Sequence, residues 1–443
     1  METDMKYHTT RRNFLAGSIA TAAVASSGGL ALGKSASPND KLDIAVIGVG
    51  GRGGANLGGV KSQNIVALCD IDANRLAKAA GGCPKAAKFA DYRKMLDKMH
   101  KQIDAVVVST PDHTHAPAAA MAMRLGKHCY CEKPLTHTVG EARTLIELAA
   151  KNKLVTQMGT QIHAKSNYRR VVEIIQSGMI GAVRNVHVWH TVSYGVGDRP
   201  IKSQPVPKHL DWDLWLGPAG ERPYHSCYLP GRWRGWREFG TGGIGDFGCH
   251  YMDLPFWALK LQHPTSIEAE GPDQHAESTP RWLKILYKFP ARDGGKLPPV
   301  TMTWSDGGKK PAGLNDLLSP LGVKAAGKWS CGILFVGDKG SVLANYNNHI
   351  LGPKKKFAGV KPPAQTIPAS IGHHKEWFEA CKTGGATTCN FAYSGALTEA
   401  VLLGVVAYRT GEKINWDAKN LKAINCSEAD KYIQKEYRKG WKL

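Results

Sequence analysis

The sequence predicts an α/β chain in two domains: a doubly wound parallel sheet, then an α+β domain whose open, mixed sheet is predominantly antiparallel. Three observations predict it. Short apolar runs rich in β-formers alternate with helix-patterned stretches from Leu42 to Met158, as in a parallel sheet covered on both faces. A glycine-rich turn follows the first run at once. After Gln161 the runs become alternating, apolar against polar, as in a sheet open on one face. A length of 443 residues suits two domains.

Leu42 to Ile47 reads as the first buried strand, with a helix starting near Gly53. Asn64 to Leu68, Ala105 to Val108, His128 to Cys131 and Leu154 to Met158 read as further strands. Val139, Ala142, Leu145, Ile146 and Ala149 recur at helical spacing. In the second part, Gly181 to His190, Leu283 to Tyr287, Val300 to Trp304 and Gly332 to Val336 read as strands. His373 to Arg409 reads as helices, with Gly395 to Ala407 deeply packed and Trp416 and Trp441 as anchors in the tail. The expected boundaries are residues 1–37 for a targeting segment, 41–160 for the first domain, 161–370 for the second, and 371–443 for helices and a tail returning to the first.

Composition narrows the class. Hydrophobic residues make up 42% and charged residues 21%, as in a globular protein. Lys plus Arg number 58 against 37 Asp plus Glu, a net charge of +21. The basic residues are spread along the chain, which reads as a lysine-rich solvated surface, and no nucleic-acid motif accompanies them. Lys354-Lys355-Lys356 reads as a loop tip. The ten cysteines form no pair of zinc knuckles and read mostly as small buried hydrophobes. No apolar run after residue 40 reaches membrane-spanning length.

The first residues read as an address. Thr10-Arg11-Arg12-Asn13-Phe14-Leu15 resembles the twin-arginine export signal, and an Ala-rich stretch from Ala16 to Leu32 follows. Ala31-Leu32-Gly33 and Ser35-Ala36-Ser37 are cleavage candidates, and no cysteine follows to take a lipid. The resemblance implies the twin-arginine machinery as a partner, a periplasmic location without a stable membrane anchor, and folding in the reducing cytoplasm without disulfides.

Gly48-Val49-Gly50-Gly51-Arg52-Gly53 matches G-x-G-x-x-G between a strand and a helix. Gly48 allows the tight turn, Gly50 and Gly51 bring backbone near a pyrophosphate, and Gly53 allows close helix packing. The helix N-terminus favours phosphate. Asp70 closes the second strand about 20 residues on, where a carboxylate accepts from ribose hydroxyls and repels a 2′-phosphate. NAD is therefore expected, with NADP the lesser option because Arg52 and Arg75 are near. The plainer role for Asp70 is capping the helix near Asn74.

Thr110-Pro111-Asp112-His113-Thr114-His115, Glu132-Lys133-Pro134 and Gly245-Asp246-Phe247-Gly248-Cys249-His250-Tyr251-Met252-Asp253 then occur in that order. With the glycine loop, they resemble the Gfo/Idh/MocA oxidoreductases, a family of glucose-fructose oxidoreductase and inositol dehydrogenase kind. The resemblance implies a Rossmann domain holding NAD, with Thr110, Pro111, His115, Glu132 and Lys133 beside the cofactor. It places Lys133, Asp246 and His250 at the reacting carbon, a cis bond before Pro134, and a homo-oligomer (dimer or tetramer) formed through the open sheet. Alcohol oxidation asks for such groups: a histidine to take the hydroxyl proton, a lysine to stabilise the alkoxide, and a carboxylate at i, i+4 to orient the histidine or the substrate. Lys133 and His250 can exchange or share roles. A metal bound by His113 and His115 is the disfavoured alternative, and no metal is expected.

Leu210 to Phe239 interleaves Trp212, Trp215, Tyr224, Tyr228, Trp233 and Trp236 with four arginines. It reads either as a sugar-binding wall or as a loop with small cores of its own. Gln161, Trp233, Arg234, Trp236 and Asp253 are the candidate substrate contacts. The expected activity is hydride transfer between a retained nicotinamide and a sugar, glycoside or polyol. Alternatives are an NAD-dependent glycosidase and a redox-inactive sugar-binding protein.

Overall fold

A computed structural model describes residues 41–324 and 327–443. The twin-arginine stretch and its cleavage candidates lie outside the described residues.

In strand β1 (Asp43–Ile47), Ile44 and Val46 point to one side and Ala45 and Ile47 to the other, and all four are buried. Ile44 and Val46 join one core with Leu57, Val60, Val107 and Trp377. Ala45 and Ile47 join the other with Leu96, Val106, Cys129 and Cys131. A strand covered on both faces has no polar side to show, which is why its sequence is an unbroken apolar run. Each such side chain contributes about 1.5–3 kcal/mol by leaving water.

The chain alternates through helix α1 (Arg52–Val60), β2 (Asn64–Cys69), α2 (Ala73–Gly81), β3 (Ala87–Phe89), α3 (Tyr92–Met99), β4 (Ala105–Val108), α4 (Asp112–Arg124), β5 (His128–Cys131), α5 (Val139–Lys151) and β6 (Thr156–Met158). The six strands form a parallel sheet in the order β3-β2-β1-β4-β5-β6. Strand order reverses between β1 and β4, and a crevice opens there at the carboxyl ends. The short, half-buried β3 carries no apolar run and escaped the sequence reading.

Next come α6 (Ser166–Gln176), β7 (Val183–Trp189), α7 (Trp212–Leu216), α8 (Cys249–Tyr251), α9 (Asp253–Leu259), β8 (Ser266–Glu270), β9 (Lys284–Phe289), β10 (Val300–Ser305), α10 (Leu314–Leu318), β11 (Gly332–Gly337), β12 (Gly340–Ala344), β13 (His349–Gly352) and α11 (Lys354–Phe357). The sequence takes Lys354 to Lys356 as a loop tip; they form α11 instead. The end of the chain supplies α12 (His373–Thr383), α13 (Phe391–Thr410), β14 (Ile414–Asp417), β15 (Lys422–Ala423) and α14 (Asp430–Ile433).

The second sheet runs β13-β12-β11-β7-β10-β9-β8-β14-β15 and is antiparallel except for the parallel pair β7–β10. Val186, Val188, Ile285, Tyr287, Met302 and Trp304 fill its inner face, while Asn185, His187, Leu286 and Thr303 leave the other face partly exposed. The tail is not helical throughout: β14 pairs with β8. Trp416 and Trp441 are both buried.

Helix α13 packs against α5, β8 and the 244–248 turn. Its 20 residues make it the one helix among the described residues long and apolar enough to cross a membrane, and 83% of its apolar window is buried within the protein. Gly395 lets it close on α5, since a Cβ there would stand 2.5 Å from Ile146. All ten cysteines are free.

Candidate active site

The crevice begins at the glycine loop. Gly48 has φ +80°, and a Cβ on it would stand 2.7 Å from the Ser109 carbonyl oxygen. A Cβ on Gly53 would stand 1.9 Å from the Gly48 carbonyl oxygen, so α1 rests directly on the turn. Gly51 precedes α1 with φ 51° and caps it with no side chain. The free N–H groups of the first turn therefore face the crevice with the positive end of the helix dipole. The Arg75 guanidinium lies over Gly50, within 2.7 Å of where a Cβ would be.

Asp70 stands at the end of β2. Its Oδ2 accepts from Val49 N at 2.9 Å and its Oδ1 from Asp72 N at 3.0 Å, leaving each oxygen a second lone pair for a ribose hydroxyl. Burial pushes this carboxyl up, against the backbone hydrogen bonds and Arg75. The helix-capping role weighed for Asp70 belongs to Asp72, which accepts from Asn74 N and Arg75 N.

At the far end, β5 delivers Glu132-Lys133-Pro134, and the Lys133–Pro134 bond is cis. Glu132 is buried and accepts from Asn56 Nδ2 at 2.9 Å, Gln161 Nε2 at 2.8 Å and Arg52 Nε at 3.3 Å. The Lys133 ammonium pairs with the Asp246 carboxylate and donates to the Asp246 carbonyl oxygen at 2.9 Å. Tyr194 donates to Asp246 Oδ2 at 2.5 Å, and Arg234 Nε lies 3.3 Å from that oxygen. Burial alone would raise the Asp246 carboxyl, but Lys133, Arg234 and Tyr194 outweigh it and hold the group well below the usual carboxylate range.

The i, i+4 pairing of Asp246 with His250 does not form. Residues Ile244–Gly248 make a π-helical turn, whose wider winding moves position i+4 off the face it holds in an α-helix. Asp246 orients Lys133 instead. Burial, then the Lys133 charge, push the His250 imidazole well below its usual value, and its buried Nδ1 has no hydrogen-bond partner.

One cavity of about 860 Å³ joins these ends. Gly48, Gly50, Gly51, Arg52, Asp70, Thr110, Pro111, His115, Glu132, Lys133 and His250 line it. The 207–234 stretch roofs it, with Leu210, Trp215, Tyr224, Trp233 and Arg234 among the lining. This roof is stitched to the first domain: His209 O accepts from Ala73 N at 2.8 Å and Ile71 O from Asp211 N at 3.0 Å.

Four sequence-chosen residues sit elsewhere. Trp236 is 2% exposed and packs in a small core with Trp215, Tyr228 and Phe239, so it is structural. The aromatic stretch is thus both wall and core. Gln161 is tied to Glu132, Arg52 and Tyr130 behind the cavity. Asp253 is fully buried away from the cavity, where His163 Nδ1 lies 3.0 Å from both its oxygens and Tyr393 donates to it at 2.6 Å. Gly53 supports the loop from below. The two motif histidines are packing groups. The His113 nitrogens face the carbonyls of Phe239 and Trp215, and the His115 nitrogens those of Pro134 and Thr110. Burial pushes His113 down to about 3.

Tyr194 escaped the sequence reading because no motif surrounds it after β7. Asp112 lies in a motif already singled out, yet its role was not legible: it accepts from Thr241 N at 3.2 Å and Thr241 Oγ1 at 2.8 Å, fastening the Asp246 segment to the first domain.

The chain matches two consecutive family profiles, "Oxidoreductase family, NAD-binding Rossmann fold" over residues 42–160 and "Oxidoreductase family, C-terminal alpha/beta domain" over residues 164–298. Inositol 2-dehydrogenase of Salmonella typhimurium is 31% identical over 155 residues, 34% of this chain and 46% of that protein. A glycosyl hydrolase family 109 protein of Saccharopolyspora erythraea is 29% identical over 236 residues, 49% of this chain and 45% of that protein. The chain thus matches just under half the length of these relatives. The WlbA dehydrogenase of Chromobacterium violaceum, solved with NADH and UDP-GlcNAcA, shares the fold at TM-score 0.60 and 18% identity, covering 86% of this chain and 98% of that one.

Proposed function

Because the chain belongs to the Gfo/Idh/MocA oxidoreductase family, with an NAD-binding Rossmann domain, we propose that it moves a hydride between a retained NAD and a hydroxyl of a sugar, glycoside or polyol. One observation carries this reading: a single cavity runs from the glycine loop and Asp70 to Lys133 and His250. The first end fits the cofactor, since glycine backbone, an uncapped helix N-terminus and a ribose-facing carboxylate stand in the order of pyrophosphate and ribose. The Asp70 carboxylate favours NAD over NADP.

Bound there, the nicotinamide supplies a hydride acceptor. The protein supplies the rest. His250 lines the cavity and burial keeps its imidazole neutral, the form that can take the hydroxyl proton. Lys133 has three N–H donors; Asp246 holds two through its carboxylate and carbonyl, leaving the third for the substrate oxygen. The Lys133 ammonium, held against Asp246, stabilises an alkoxide. Arg234 lies over the Trp233 ring at 4.3 Å, and this stacked pair offers the sugar a flat wall and hydroxyl donors.

Export to the periplasm through the twin-arginine route, which carries folded proteins, accords with a roof stitched over the cofactor. Outside the cytoplasm no replenished NAD pool is expected, so the cofactor stays bound and is recycled by a second substrate. Retention for hours at an on-rate of about 10⁶ M⁻¹s⁻¹ implies a Kd near or below roughly nanomolar. The half-exposed outer face of the second sheet suits a homo-oligomer contact.

The test is mass spectrometry of small molecules released on denaturing the freshly purified protein. Stoichiometric NAD with sugar turnover in the absence of added cofactor is the expected result. An empty protein that turns over only with added NAD removes the retention argument, and no turnover with either removes the activity.

A second reading, an NAD-dependent glycosidase working by oxidation, elimination, water addition and re-reduction, is favoured by the family 109 relative, matched over 236 residues. An aryl glycoside in heavy water separates the two. Free aglycone with deuterium beside the oxidised carbon supports cleavage, and a stable keto-glycoside excludes it.

A further inference from the structure

Behind the segment that carries Asp246 lies a second cavity, of about 270 Å³. Thr241, Gly242 and Gly243 line it, with apolar side chains from Leu402 and Val406 of α13. Two guanidiniums enter it. Arg237 Nε donates to Ser278 O at 2.7 Å, but its Nη2 is buried with no hydrogen-bond partner among the described residues. The Arg409 guanidinium stacks 3.9 Å above the Tyr432 ring, and its Nε is likewise buried without a partner. Thr279 Oγ1, in the same cavity, is a third buried orphan.

Among the described residues neither arginine joins an ion pair, although the chain forms many others. Glu238 lines the cavity, and its Oε1 accepts from Gly220 N at 3.0 Å. The two guanidiniums repel: burial first, then the Arg237 charge, push Arg409 below its usual value. Native proteins pair buried donors almost without exception. Two like charges side by side, each with one buried nitrogen unpaired and with Leu402 and Val406 nearby, are complementary to an oxyanion with an apolar body.

We propose that this cavity binds a small organic anion, its oxyanion head between Arg237 and Arg409 and its body against Leu402, Val406 and Tyr408. The volume suits a monosaccharide-sized acid or phosphate ester and is too small for a dinucleotide, which has its own crevice. The site stands apart from the redox chemistry and holds whatever reaction the first cavity performs.

The experiment is calorimetric titration of the NAD-saturated protein, so that the glycine loop is filled, with inorganic phosphate, phenyl phosphate and benzoate. Saturable binding at one site per chain is expected, with phenyl phosphate several-fold tighter than inorganic phosphate because of the apolar wall. Comparison of phenyl phosphate with benzoate decides between a phosphate and a carboxylate head. Arg237→Gln and Arg409→Gln are each expected to weaken binding at least tenfold. Should either fail to fold, Arg409→Lys, which keeps the charge but loses the fork, and the isosteric Thr279→Val are expected to weaken it severalfold. No saturable heat with any of the three probes, or affinities unchanged in the folded variants, overturns the proposal.

Discussion

The ammonium of Lys133 lies 2.9 Å from the carbonyl oxygen of Asp246 and pairs with that residue's carboxylate, although 113 positions separate them. This contact joins the two domains at the point where the proposed chemistry occurs. It also gives Asp246 a role that needs no contact with His250: it aims a cation.

Lys133→Ala is expected to lower kcat by roughly 10²–10³-fold, the scale of losing one preorganised donor at a developing oxyanion. Bound NAD is expected to remain near one per chain. Steady-state kinetics together with cofactor release measure both. A variant that keeps full turnover removes Lys133 from the mechanism.

Gly53→Ala puts a Cβ 1.9 Å from the Gly48 carbonyl oxygen. The glycine loop must shift, and the purified variant is expected to carry little or no NAD. The ratio of absorbance at 260 and 280 nm reports this directly. Asp70→Ser, by contrast, is expected to keep the loop and shift the NADP-to-NAD affinity ratio upward by about tenfold, roughly 1.4 kcal/mol.

Glu399 lies fully buried in α13, accepting from Trp416 Nε1 at 2.8 Å and Arg143 Nη2 at 2.9 Å, with His263 Nδ1 at 2.7 Å. Burial pushes its carboxyl up, but His263, Trp416 and Arg143 outweigh it and hold it below its usual value. Its folded value is depressed, so the stabilisation is complete above the unfolded value of about 4.3 and is lost as pH falls through the folded one. Glu399→Ala strands Arg143 and is expected to cost about 3–5 kcal/mol. Urea unfolding at pH 7 and pH 4 measures the loss, which shrinks at the lower pH.

Cys331 is half-buried beside His190. His190 Nδ1 accepts from Val192 N at 3.0 Å, which leaves the proton on Nε2. Burial raises the Cys331 thiol, but the hydrogen bonds of His190 and Thr191 outweigh it and bring the thiol down to about 6. The thiolate is therefore present above that pH. Iodoacetamide labelling of the Cys331 peptide is expected to be half-maximal near pH 6 and level by neutrality, while Cys129, fully buried and raised by burial, stays unlabelled in the folded protein. His190→Ala is expected to return the midpoint toward about 8.5.

Much of the first domain was legible because its signals are local. A strand buried on both faces must be an unbroken apolar run, and a turn with positive φ at Gly48 must be glycine. Lys133 and His250 were legible through motifs. The contact of Tyr194 with Asp246 and the meeting of Arg237 with Arg409 were not, because each joins distant segments. Trp236 shows the converse: its residue type fits a sugar wall, but burial in a core depends on neighbours that composition does not reveal.

The sequence by itself determined the two-domain α/β architecture, the glycine loop, Asp70 at the end of its strand, and which lysine and histidine stand near the chemistry. The architecture, the loop and Asp70 follow from spacing along one element and from backbone sterics; Lys133 and His250 come from the resemblance their motifs bear to the family. The tertiary structure alone decided that Asp246 serves Lys133, that a roof from the second domain is stitched to the first, and that Arg237 and Arg409 meet in one cavity. The Asp246 pairing turns on a π-helical turn, whose pitch moves side chains off their α-helical face and which α-helical periodicity does not reveal.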